Sequence, residues 1–163
     1  MSLVPRSKSQ LELMRKSGLV TAKALKAVLE AIKPGISLLE LEKIANSEIT
    51  KLGAQPSFKT VPGYSWATCL TVNNEVVHGI PRPITLKEGD LFSIDIGAVF
   101  GGWHTDAAWS VLVGHESGVK SHEKEKFLKA GEEALWQGIA QARSGNKIGD
   151  IVASMQRVVE GVG

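Results

Sequence analysis

The sequence predicts an α+β fold in which helices flank an antiparallel sheet, and three observations predict it. Apolar residues recur at spacings of three and four in the N-terminal third. Two alternating segments meet at Gly101-Gly102 in the middle. Helical spacing returns after a polar stretch at residues 114–119. The resulting order of helix, helix, strands, helix, helix is that of one and a half copies of a repeated unit.

Each element follows from local chemistry. Leu11, Met14, Gly18, Ala22, Leu25, Leu29 and Ile32 share one helical face, so residues 11–32 form an amphipathic helix. Lys33-Pro34-Gly35 stops it, because proline disfavours a helical predecessor and glycine turns the chain. Ser37-Leu38-Leu39-Glu40 is a capping box, which starts a second helix that ends at Gly53. Residues 54–67 hold Pro56, Pro62 and Gly63, show no period, and read as a loop carrying Phe58, Tyr64 and Trp66. Strands are expected at 68–72 and 75–79, then a proline-rich turn at 80–84, then strands at 91–100 and 103–113. A third helix is expected over 122–142, broken by Ser144-Gly145-Asn146, and a fourth over 148–159. Ile148, Ile151, Val152, Met155, Val158 and Val159 give the fourth a wide apolar face, and no later segment supplies a sheet to cover it. The expectation is therefore a chain cut from something longer.

Composition narrows the function classes. The 163 residues fit one domain, and 43% hydrophobic with 22% charged residues excludes disorder, collagen and coiled coil as overall descriptions. A net charge of +2 is too small to make nucleic acid or an anionic membrane the main partner. No apolar run approaches the ~18 residues of a membrane span, and the N-terminus lacks a signal-peptide core. The single cysteine, Cys69, excludes an internal disulfide and fits a reducing compartment, so a cytoplasmic location is expected. The leader MSLVPRS, residues 1–7, is close to a thrombin-site tag and is set aside as a tag or disordered leader, leaving 8–163 as the domain.

The hairpin at 91–113 carries the chemistry. With Gly101-Gly102 as a two-residue turn, Phe100 faces Trp103. One face then holds Phe92, Ile94, Ile96, Ala98 and Phe100 with Trp103, Ala107, Trp109, Val111 and Val113, interrupted by Thr105. The other face receives Ser93, Asp95 and Gly97 opposite Ser110, Ala108 and Asp106, with His104 beside them. Asp95 and Asp106 become diagonal neighbours about 5 to 8 Å apart at Cβ. Their cross-strand partners are small, which leaves open volume above the sheet. A divalent cation, or a pair, gives two like charges a reason to share a hairpin face. The alternative is a solvated face with solubilising aspartates. Either way two carboxylates are too few for a closed metal site.

Other candidates are less specific. His78 ends the expected strand at 75–79 just before Gly79-Ile80-Pro81, a place from which a side chain projects into a cleft, although a structural histidine is the alternative. Cys69 reads equally as a small buried residue. His115 and His122 sit in polar surface sequence. There is no His-Glu-x-x-His, no Gly-x-Ser-x-Gly, no phosphate-binding loop and no dinucleotide glycine pattern.

The runs CLTVNNEVVHGIP from Cys69 and EGDLFSIDIGAVFGGWHTDAAW from Glu88 resemble the type I methionine aminopeptidases. The similarity extends in order over residues 10–163. The aspartate hairpin is shared with the wider creatinase-like superfamily, while the string around His78 points to the methionine enzymes. The resemblance implies a pita-bread fold, two pseudo-symmetric αβ halves around two divalent metal ions (Co, Mn, Fe or Zn), with the second half incomplete here. It implies Asp95 and Asp106 as metal ligands, His78 as a catalytic, substrate-contacting residue, and Tyr64, Cys69 and Phe58 as walls of the methionine side-chain pocket. His104 matches a position that is often histidine but not a ligand. The family's other ligands, one histidine and two glutamates, match nothing in this chain, so weak or incomplete metal binding is expected. The implied activity is removal of N-terminal methionine from nascent proteins and peptides, with the ribosome as a further partner. The competing expectation is a non-catalytic pita-bread module that grips peptides without cleaving them.

Overall fold

The computed structural model describes residues 4–114 and 119–162, in two compact units within residues 1–115 and 116–163. His115 and most of the expected polar connection lie outside the described residues. The first unit contains α1 (Lys8–Ala31), α2 (Leu38–Lys51), β1 (Gln55–Pro56), a 3-10 turn at Phe58–Thr60, β2 (Thr68–Val72), β3 (Leu91–Phe100) and β4 (Trp103–Leu112). The second contains α3 (Val119–Gln141) and α4 (Ile148–Glu160).

Helix α1 begins earlier than its apolar period because Ser7 caps it. The Gln10 amide donates to Ser7 Oγ at 3.2 Å, and the Ser7 amide donates to Gln10 Oε1 at 2.8 Å. In the same leader, Arg6 lies 5.1 Å over the Trp103 ring. The box expected at Ser37 forms, with Glu40 N to Ser37 Oγ at 3.2 Å and Ser37 N to Glu40 Oε2 at 2.9 Å. The Ser37 amide, and after it the Ser37 hydroxyl at 2.8 Å, hold the Glu40 carboxyl below its ordinary range.

Strand β3 is the centre of the sheet. It pairs with β4 along one edge and with β1 and β2 in tandem along the other, all antiparallel. The β3–β4 register is the one expected, from Phe100 opposite Trp103 through Leu91 opposite Leu112. Gly101 (φ +57°) and Gly102 (φ +81°) supply the left-handed backbone that such a turn requires. Phe92, Ile94, Ile96 and Ala98 are fully buried, packed with Ala24 and Val28 of α1 and Leu38, Leu41, Ala45 and Ile49 of α2.

Thr105 is no flaw in that face. Its hydroxyl lies 2.9 Å from both Ser17 Oγ and Thr21 Oγ1 of α1, and Ser17 also donates to the Ala98 carbonyl at 3.0 Å. A buried polar ladder thus fixes α1 on the hairpin.

Two expectations are corrected. Residues 75–79 form no strand: Val76 and Val77 are exposed, and the segment meets β2 only at its two ends. These bonds are Leu70 N to Gly79 O at 2.7 Å and, at Glu75, Glu75 N to Val72 O at 3.3 Å and Val72 N to Glu75 Oε2 at 2.9 Å. Asn73, at φ +57°, turns the chain out of β2, and its side chain takes the Leu91 amide at 2.9 Å. The loop at 54–67 in turn contains β1, with Gln55 opposite Val99 and Pro56 opposite Ala98, and the 3-10 turn.

In the second unit α4 meets α3 at Gly138, where an added Cβ would lie 2.8 Å from Met155 Sδ. His122 is exposed, as expected. Ile148, Val152 and Val159 of α4 and Phe127, Trp136 and Ile139 of α3 are more than half exposed.

Thr105→Val should lower stability by about 1–3 kcal/mol, because it strips the buried Thr21 hydroxyl of its bond to Thr105. Denaturant melts check this, and an unchanged midpoint would contradict the ladder.

Candidate metal and substrate site

The strand register places both carboxylates on the face turned away from the core. Asp95 lies opposite Ala108 on β4 and Cys69 on β2, and Asp106 lies opposite Gly97. Asp95 is half-buried and Asp106 exposed. Burial first, then a hydrogen bond shared with Asp106 and the like charge of that neighbour, push the Asp95 carboxyl up to about 6. His78 and the Ile96 amide pull the other way. A hydrogen bond between two carboxyls requires a proton on one of them, and a cation in that proton's place removes the same repulsion.

The small partners of the aspartates do different things. An added Cβ at Gly97 would lie 3.0 Å from Ser57 Cβ, 3.0 Å from the Thr105 carbonyl oxygen and 3.1 Å from Phe58 Cε1. Gly97 therefore lets the 3-10 turn sit on the sheet, and the expected open volume is filled there. Ser57 is tied down by its amide to the Gly97 carbonyl at 2.9 Å and by its hydroxyl, 3.0 Å from His104 Nδ1. Ala108 is exposed, so the face stays open on that side.

The aromatic loop supplies a wall beside Asp95. Phe58 and Tyr64 meet edge to face, with centroids 6.4 Å apart. The Tyr64 hydroxyl donates to the Thr68 carbonyl at 2.7 Å, so the Cys69 thiol, 3.2 Å away, donates to the phenol oxygen. Burial raises the Cys69 thiol, the charges of Asp95 and Asp106 add to this, and the Tyr64 bond opposes it. Burial likewise raises Tyr64, assisted by Cys69. Both groups are neutral near pH 7 and present a polarisable surface suited to an apolar side chain.

His78 is exposed and its φ of +57° is unusual for a non-glycine residue. Its loop is held at the next residue, where an added Cβ on Gly79 would fall 2.1 Å from the Leu70 carbonyl oxygen. The structure thus groups Asp95, Asp106, Cys69, Tyr64 and Phe58 on one sheet face, with His78 projecting from a loop anchored to β2.

Sequence reasoning missed one residue of this neighbourhood. Glu42 of α2 is 5% exposed and accepts the Ala67 amide and the Thr68 hydroxyl, between Tyr64 and Cys69. Its signal was available: an acid among Leu38, Leu41, Ala45 and Ile49 on the apolar face of a helix.

Among the described residues no three or more His, Cys, Asp or Glu side chains are arranged to hold a metal ion. Asp95 and Asp106 fit such an ion as two hard oxygen donors on an open face.

Known proteins resemble this chain in sequence and fold. The chain is 39% identical to a methionine aminopeptidase of Clostridium perfringens over 161 residues, 99% of this chain and 63% of the relative. It is 40% identical to methionine aminopeptidase 1 of Bacillus subtilis, over 97% of this chain and 62% of the relative. The chain thus spans less than two thirds of the length of these relatives. Its structure superposes on the methionine aminopeptidase of Thermotoga maritima with a TM-score of 0.92 and 35% identity, covering 99% of this chain and 64% of that one. The fold is the expected pita-bread fold, shared also with a prolidase of Pyrococcus furiosus at a TM-score of 0.84 and 20% identity. The family model for metallopeptidase family M24 matches residues 12–163, and the chain belongs to that family.

Proposed function

We propose that these residues serve a methionine aminopeptidase, a metal-dependent hydrolase that removes N-terminal methionine from nascent proteins and peptides. One observation supports this above the others: Asp95 is flanked across the sheet by Ala108 and Cys69, so a carboxylate pair and an apolar side-chain wall share one face. An exopeptidase needs both within the length of one residue.

Asp95 and Asp106 would hold the divalent ions, which the resemblance gives as two and as Co, Mn, Fe or Zn; oxygen donors alone do not choose among these metals. Bound there, metal would polarise the scissile carbonyl and lower the pKa of a bound water to about 7. Tyr64, Cys69 and Phe58 would take the methionine thioether, and their contacts leave no charge in the wall to reject it. His78, fixed through Gly79, would donate a hydrogen bond to the peptide as charge develops on its oxygen. The family's other ligands match no residue here, so the 163-residue chain alone would bind metal weakly. Among the described residues no helix is long and apolar enough to cross a membrane. We place the protein in the cytoplasm, where nascent N-termini leave the ribosome.

A chimera joining this chain to the remaining C-terminal part of the Bacillus subtilis relative should release methionine from Met-Ala-Ser with added Co or Mn. Asp106→Asn should abolish that release, while His78→Ala should mainly lower kcat. In the metal-free chain Asp106→Asn should keep the fold and gain up to about 1 kcal/mol, as like charges facing across a sheet cost that order. A folded, metal-loaded but inactive chimera that still binds peptides would favour the binding module. Activity retained in Asp106→Asn with a much lower melting temperature would make that aspartate structural.

The raised Asp95 carboxyl sets a sign for pH. Its folded value, about 6, lies above the unfolded value near 4, so the stability it contributes is complete below about pH 4 and lost as pH rises through about 6. The stability of the metal-free chain relative to Asp95→Asn should therefore fall between about pH 4 and pH 7. Melts in a chelating buffer measure it, and a relative stability that rises over this range would contradict the pairing.

A further inference from the structure

We propose that Glu42 is a positioning residue for the side-chain pocket: from inside α2 it fixes the entry to β2 and so holds Tyr64 against Cys69. What the pocket accepts rests on the aminopeptidase reading; the linkage rests on the contacts of these residues.

Both oxygens of Glu42 are engaged. Oε1 accepts the Ala67 amide at 2.7 Å and Oε2 accepts the Thr68 hydroxyl at 2.6 Å. Thr68 is fully buried and passes the constraint on, since its carbonyl takes the Tyr64 hydroxyl at 2.7 Å. The next residue, Cys69, places its sulfur 3.2 Å from the same phenol and lies opposite Asp95. Leu70 follows, and its amide holds the Gly79 carbonyl beside His78. One carboxylate therefore anchors the backbone from which the pocket wall, the partner of Asp95 and the His78 loop are hung.

The chemistry favours this role over simple packing. Leu38, Leu41, Ala45 and Ile49 complete the buried face of α2, and an apolar side chain at position 42 would continue it without the cost of burying a carboxylate. What the acid adds is two acceptors, aimed at two adjacent donors: the Ala67 amide just before the ladder and the hydroxyl of Thr68, its first residue.

The test needs no turnover, because Tyr64 and Cys69 are the sole tyrosine and the sole cysteine of the chain. Thiol labelling and the NMR signal of tyrosine carrying 13C at Cζ each report one residue. In the folded 163-residue chain, Glu42→Ala should raise the Cys69 labelling rate about tenfold by loosening the strand entry. It should also shift the tyrosine resonance towards that of a solvated phenol. Glu42→Gln should restore both readouts, because its oxygen can accept the Ala67 amide while its NH2 donates to the Thr68 hydroxyl. Thr68→Val, which removes one of the two bonds, should fall between. A lowered melting temperature with labelling rate and tyrosine resonance at wild-type values would make Glu42 a mere brace and overturn the proposal. If Glu42→Ala does not fold, unchanged readouts in Thr68→Val overturn it equally. An inactive chimera, by contrast, counts against the aminopeptidase reading and leaves this linkage standing.

Discussion

The pairing of β3 with β4 over their full length, set by the two glycines between them, is the constraint from which the rest of the first unit follows. Because side chains alternate, one register sends Phe92, Ile94, Ile96 and Ala98 into the helices and leaves Asp95 and Asp106 on the opposite face. A slip of one residue would expose four fully buried side chains and carry both carboxylates into the α1 contact. Each large side chain lost from the core costs about 1.5–3 kcal/mol, so the site is as firmly specified as the core. The buried Ser17–Thr105–Thr21 ladder adds direction to this, since it fits α1 on the hairpin in one position.

The sheet face that carries Asp95 and the helix behind it put the same physics to two opposite uses. Asp95 and Asp106 are left partly uncompensated: burial raises Asp95 first, and the bond to Asp106 and its like charge add to that rise. Glu42, only a few residues of backbone from Cys69, is a more deeply buried acid, yet both its oxygens are satisfied. Burial raises its carboxyl, and the bonds from Ala67 and Thr68 act against that rise. The aspartate pair is left open to solvent on one side, and the glutamate is spent on holding backbone in place.

What could be read from the sequence was whatever depends on local pattern. The hairpin register, the capping box at Ser37, the stop at Lys33-Pro34-Gly35 and the helix pairs all rest on residues close in sequence, and the structure has them. The failures involve partners far apart. Residues 75–79 look like a strand, but a strand needs an edge to pair along, and this segment bonds β2 only at its ends, at Glu75 and Gly79. Gly97 looked like open space and is instead where Ser57 and Phe58 land, a contact across some forty residues that no spacing reveals. The pairing of Cys69 with Asp95 also depends on β2 choosing β3, which sets the Tyr64–Cys69 contact beside the carboxylate pair. Glu42 is marked in the sequence only by being an acid on an apolar stripe, and its partners Ala67 and Thr68 lie far along the chain.

Under the proposed function, Asp95 and Asp106 act as one cation-binding pair. Titrating Mn(II) into the 15N-labelled chain tests it most directly, since paramagnetic broadening reports distance from the bound ion. The account predicts broadening centred on the amides of Asp95, Asp106 and Ala108 and on Cys69 across β2, lost on Asp106→Asn. Broadening centred elsewhere, or unchanged by that substitution, would contradict it.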